Sequence, residues 1–303
     1  MKLPRLTFLA MLLPAPLAAQ SPAPAPTAGQ EVVVTGARDP AKEVEAFVDA
    51  LAAVPGGPRA QLSRFETRAA CPTALGVMPA QRTAIVERMR RVAAAAGAPV
   101  AQAHCSPNIV LAVVAEKRAF IELLARRYPD FLGELSTREV RSLGQSPGPA
   151  AAWQIAGPPL NADGVEIANP ETGDVAVNQT GRAGSRITAA ARPHVAAAMV
   201  VVERGALTGL TVTQLADYAA MRALGHADPA ALAGSAAPTI LTVLDAAAGS
   251  EVPVTLTAWD MGFLKALYAA PSNIYAAGQR TQMRHDMERS LRQEPAAATP
   301  ARP

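Results

Sequence analysis

The sequence predicts an α+β fold: a mixed sheet packed on helices, with a helical C-terminal part. Three observations lead there. The run VAAAMVVVE at 195–203 is apolar over strand length and rich in Val, which suits a strand buried on both faces. After it come a Gly-containing turn and a strongly capped helical stretch that ends near Gly225. The chain before about residue 145 is helix-rich, whereas strand-like segments are commoner after the turn-rich QSPGP at 145–149.

Composition bounds the rest. Half of the 303 residues are apolar but only 4% are aromatic, so close-packed Ala-rich helices are expected rather than large stacking platforms. Residues 1–19 combine a basic start, a Pro-interrupted apolar run and an Ala-rich end. This is the pattern of a secretory signal peptide cleaved near Ala18 or Ala19. No later segment approaches the roughly 20 apolar residues of a membrane span, so a periplasmic or secreted location is expected. The formal charge of +3 drops to +1 once Lys2 and Arg5 leave with the signal. That balance is too weak for nucleic acid. Cys71 and Cys105, an even pair in an oxidising compartment, read as a disulfide worth about 3–4 kcal/mol in the chain-entropy model. The alternative is a reactive thiol, with His104 beside Cys105.

In order, residues 20–38 form a Pro/Ala-rich linker that ends in EVVVTGAR. A single α+β domain is expected over 39–292, with a possible subdivision near 145–150 and a disordered tail at 293–303. Asp39-Pro40 starts a helix whose stripe is Val44, Phe47, Val48 and Leu51. A second helix opens near Pro79 and buries Ile85, Met89 and Val92. Arg82, Glu87, Arg88, Arg90 and Arg91 are expected to face solvent. NIVLAVVA at 108–115 is a strand covered on both faces, followed by a helix with Phe120, Leu123, Leu124 and Arg127 at helical period. Ser136 or Thr137, with Glu139, caps a short helix through Leu143. AAWQIA at 151–156 and DVAVNQ at 174–179 are strand candidates around a polar loop.

Thr211 and Gln214 form a capping box for a helix over 212–224, with Gly225 as its left-handed stop. Two further strands are expected at 239–244 and 252–257. Thr257 and Asp260 then cap a helix through Tyr268, and a last helix covers about 275–291.

Two stretches carry resemblances. EVVVTGAR resembles the TonB box of TonB-dependent outer-membrane receptors, which implies strand addition to an energising envelope partner. The strand, capped helix and ALGH end at 195–226, with LTAWDMGFLKALY at 256–268, resemble the zincin metalloproteases of metzincin and matrixin type over about 108–291. That resemblance implies a zincin-like sheet beside a zinc-binding helix. Zinc hydrolysis needs two His at i and i+4 with an adjacent Glu. Aligning the helices puts Gln214, Leu215 and Tyr218 at the positions of His, Glu and His.

The four histidines, His104, His194, His226 and His285, show no ligand spacing, and no G-x-S-x-G, P-loop or S-x-x-K occurs. No catalytic residue, metal site or cofactor is therefore expected. What remains is a remnant cleft at Gln214, Asp217, Tyr218, Glu203 and His226. The leading expectation is a non-catalytic zincin-like binding or structural module, a pseudoenzyme whose partner would be an extended peptide or an envelope protein. The alternatives are an accessory protein engaging TonB-type machinery, and a hydrolase with an unorthodox site at Glu203, Asp217 and His226.

Overall fold

The computed structural model describes residues 39–54, 57–167, 178, 180–182, 184–247 and 250–293. The expected signal peptide, linker with EVVVTGAR and tail after Gln293, and the strand expected at 174–179 (Asn178 apart), lie outside them. Among the described residues no helix is long and apolar enough to cross a membrane.

The Asp39 carboxylate caps α1 (Pro40–Leu51) by accepting from the Ala41 amide, and Val44, Phe47, Val48 and Leu51 are all buried as their spacing requires. Then come β1 (Pro72–Leu75), α2 (Pro79–Ala96), β2 (Ile109–Val114), α3 (Lys117–Arg127) and α4 (Thr137–Gln145). After them come β3 (Ala150–Ala156), the short pair β4 (Leu160–Asn161) and β5 (Ala191–Arg192), and β6 (Val195–Glu203). The C-terminal part contains α5 (Val212–Gly225), α6 (Ala258–Ala269) and α7 (Ala276–Gln293). Among the described residues, seven α-helices and the mixed sheet make this an α+β arrangement.

The main sheet has the order β1-β2-β6-β3. β1, β2 and β6 run parallel, while β3 lies at one edge antiparallel to β6, with Ala150 opposite Val202 and Trp153 opposite Met199. It draws strands from both sides of the QSPGP turn. The two-residue alternation of strand side chains divides the core. On β6, Ala198, Val200 and Val202 join the larger cluster under α1, α2, α5, α6 and α7, while Met199 and Val201 join a smaller one with Ile121, Leu124 and Trp153. β2 is likewise covered on both faces. Ile121 and Leu124 are the buried apolar residues of α3, Lys117 at its start is buried too, and Leu123 is exposed. The Cys71–Cys105 disulfide forms, closing a 34-residue separation between the start of β1 and the loop before β2.

Three expectations are corrected. The stretches at 239–244 and 252–257 are not strands: a 3-10 turn occupies Ile240–Thr242 and 252–257 is irregular. Side chains capture the amides a sheet would have used. Asp260 accepts from Thr239 Oγ1 and the Ile240 amide, Asp217 accepts from the Leu256 amide, and Pro253 has no amide to give. Gly225 is the last helical residue and His226, at φ 50°, is the left-handed cap. The glycine serves packing instead: a Cβ there would meet Phe263 at 3.1 Å and Leu264 at 3.2 Å. Finally, Arg88 is half-buried and pairs with buried Asp217, and Arg90, also half-buried, donates to the Ala101 carbonyl and lies 3.7 Å from Cys105 Sγ.

Candidate functional site

α5 packs on the same sheet face as α2 and presents polar side chains to different neighbours. The capping box forms: the Gln214 amide donates to Thr211 Oγ1 at 3.1 Å, and the Thr211 amide donates to Gln214 Oε1 at 2.9 Å. Gln214 Nε2 donates to the Pro253 carbonyl at 2.8 Å, so the carboxamide is fully engaged and buried. Asp217 is also buried. It accepts from Arg88 Nε and Nη2 at 2.6 and 3.0 Å, from Thr255 Oγ1 at 2.7 Å and from the Leu256 amide at 2.9 Å. Leu215 is core.

Glu203, at the end of β6, accepts from the Lys117 amide at 2.9 Å, where a carboxylate complements the helix N-terminus. The Lys117 ammonium turns to the Ser146 and Gly148 carbonyls at 2.7 and 2.9 Å. Glu203 and Asp217 thus have separate partners. No carboxylate dyad is evident.

Tyr218 and His226 meet elsewhere, on either side of Arg222. Tyr218 and Arg222 are one turn apart, and Arg222 Nη1 donates to the phenol oxygen at 2.6 Å. Both are buried, yet both line a cavity of about 460 Å³ between α5 and the first half of β3. Its floor is Ala150 to Ala152, and Asp228 and Asp245, both exposed, stand at its border. A second cavity of about 330 Å³ follows the other half of the strand, beside Gln154, Ala156, Leu62, Phe263 and Leu267. His226 lines both. Gln154 Nε2 donates to the Ala223 carbonyl at 2.8 Å and ties strand to helix between them. Among the described residues no strand pairs with the outer edge of β3.

Protonation follows from these surroundings. Burial raises the Tyr218 pKa against the opposing effect of Arg222, so the phenol keeps its proton. His226 keeps an exposed surface at this rim, but desolvation by the surrounding protein, then Arg222, lowers its pKa, and Asp228 partly offsets them. The imidazole at this rim is neutral at ordinary pH.

No family model, no curated protein and no solved structure matches the chain. The zinc ion that the resemblance to the zincins would imply does not fit the side chains. A carboxamide committed to Thr211 and Pro253, a core leucine and a phenol held by Arg222 stand where two imidazoles and a general base are needed. Among the described residues no three His, Cys, Asp or Glu side chains converge as a metal site.

Arg222 was absent from the residues expected to form the cleft. Its trace in the sequence is the Tyr218–Arg222 pair at i and i+4, a cation inside an otherwise apolar helix (AAMRALG).

Proposed function

We propose that this chain is a non-catalytic binding module with a zincin-like core, working in the periplasm or outside the cell, and that it accepts an extended peptide segment beside β3. One observation carries the reading. β3 is an antiparallel edge strand flanked, on the side of α5, by two cavities that share His226. An edge strand offers unpaired N–H and C=O groups to an incoming segment, and flanking cavities receive its alternate side chains. The order β1-β2-β6-β3, with β6 leading into a capped helix against the sheet, is what supports a zincin-like core. The disulfide favours an oxidising compartment.

The non-catalytic reading is supported by the side chains of Gln214, Leu215 and Asp217 on α5, which are engaged in capping, packing and the pair with Arg88. Asp217, one of the acids a hydrolase would call on, accepts from Arg88, Thr255 and the Leu256 amide, and Glu203 accepts the Lys117 amide through one oxygen.

Selection from a random peptide library, followed by amide hydrogen exchange on the complex, tests the reading. Slower exchange of the amides at 150–156 is the expected result. Protection confined to another surface, or no peptide retained, would overturn it. A peptide-cleavage screen is expected to show no turnover.

A further inference from the structure

We infer that the larger cavity is a carboxylate site, with Arg222 as the anchoring cation and Tyr218 as a second donor, and that it receives the C-terminal carboxylate of the segment bound beside β3. This inference rests on the groove reading above and names the ligand end that the groove takes.

The charge on Arg222 is the first argument. Arg222 is 8% exposed, yet among the described residues its only hydrogen bond is to the neutral Tyr218 phenol, its Nε has no partner, and no acidic side chain pairs with it. A buried cation is strongly disfavoured unless paired, and here the unfilled space beside it is the cavity itself. The guanidinium fork matches a carboxylate in two-point geometry. The Tyr218 oxygen already accepts from Arg222, so its own proton is left to donate. Asp228 and Asp245 border the same cavity, both exposed, and neither lies within ion-pair distance of Arg222. They set the polarity of the mouth, where a cationic or amide-bearing part of the ligand is favoured over a second anion.

Strand polarity is the second argument. β3 runs from Ala150, in the larger cavity, to Ala156, beside the smaller one. A segment pairing antiparallel to β3 runs the other way, so its C-terminus arrives at Ala150 and Arg222. Its upstream side chain meets the smaller cavity, which Leu62, Phe263 and Leu267 make apolar. At about 3.4 Å per residue, the few residues of β3 between the cavities set the spacing of the two anchors.

The test compares peptides of one sequence made with a free C-terminal acid and with a C-terminal amide, drawn from a synthetic array with exposed C-termini. N-acetyl-leucine and N-acetyl-leucinamide serve as small probes that cannot span the groove. The wild-type protein is expected to bind the acid at least about tenfold tighter than the amide, the worth of a charge-assisted contact. Arg222→Met is expected to abolish that preference and Arg222→Lys to retain part of it, with circular dichroism confirming that both fold.

Equal binding of acid and amide by the wild type, or an undiminished preference in a folded Arg222→Met protein, overturns the inference. If peptides protect β3 whatever their terminus, the groove reading stands and the carboxylate site fails. If N-acetyl-leucine binds in an Arg222-dependent way but no peptide protects β3, the groove reading fails and the site stands as one for small free carboxylates. Binding by none of the probes overturns both.

Discussion

Two arginines in this protein are buried to the same degree, each 8% exposed, and their surroundings could hardly differ more. Arg64 closes the end of α6: its Nη1 donates to the Leu267 and Ala270 carbonyls at 2.5 and 2.8 Å, and its Nε lies 3.2 Å from Glu66. Those carbonyls belong to the last turn, where a helix has no internal donors left and carries partial negative charge. Arg222 has, among the described residues, only the Tyr218 phenol, and a cavity beside it. Burial of charge is tolerable when it is compensated. Arg64 therefore belongs to the architecture, while Arg222 keeps binding capacity that the fold leaves unused.

The largest expected effect tests the architectural half of that comparison. Arg64→Met leaves the terminal carbonyls of α6 and one side of Glu66 unmet inside the core, and is expected to lower stability by about 3–5 kcal/mol. Urea unfolding measures it. A loss below about 1 kcal/mol would mean that compensation does not separate the two arginines. A smaller effect comes from Thr211→Ala, which removes the hydroxyl that caps α5 and should reduce stability by about 1 kcal/mol. Because the cap lies at the far end of the helix from the cavity, preference for free-acid ligands should survive it. Loss of that preference in a folded protein would place the helix start in the site.

The elements that could be read in the sequence are those specified locally. The capping boxes at Ser136/Glu139, Thr211/Gln214 and Thr257/Asp260 each start a helix where expected, because the pairs bond within their own turn. The runs at 108–115 and 195–203 became β2 and β6, since a sustained β-branched run needs cover on two faces. The stretches at 239–244 and 252–257 have similar composition but lie beside Asp260 and Asp217, whose carboxylates bind backbone amides that a ladder would need. That competition is long-range, and propensity does not register it. The same holds for the site. Tyr218 and His226 belong to the expected cleft and do line one cavity, but Arg88 reaches Asp217 across 129 positions, and Arg222 gains its meaning only from what fails to approach it.

The smallest effects are expected at Arg222 itself, and they sharpen the comparison most. Exchanging an uncompensated buried cation for an apolar side chain of similar length removes a desolvation penalty and one hydrogen bond together, so Arg222→Met should stay within about 1 kcal/mol of the wild type. The same substitution acts on His226. That imidazole, although the residue is partly open to solvent, has its pKa lowered by desolvation and next by Arg222, below the ordinary value of about 6.5. The folded protein then binds fewer protons than the unfolded chain in the interval between the two values. Stability is complete above about pH 6.5 and declines as the pH falls through that interval toward the folded pKa. Without Arg222 the His226 pKa should rise toward its ordinary value and the interval should narrow, so the variant loses less stability on acidification. Imidazole proton shifts followed through a pH titration read the first effect, and unfolding on either side of about pH 6.5 reads the second. A His226 pKa that falls or stays fixed in Arg222→Met would show that the guanidinium charge is neutralised where it sits, and the unused cation would then be no cation at all to its neighbours.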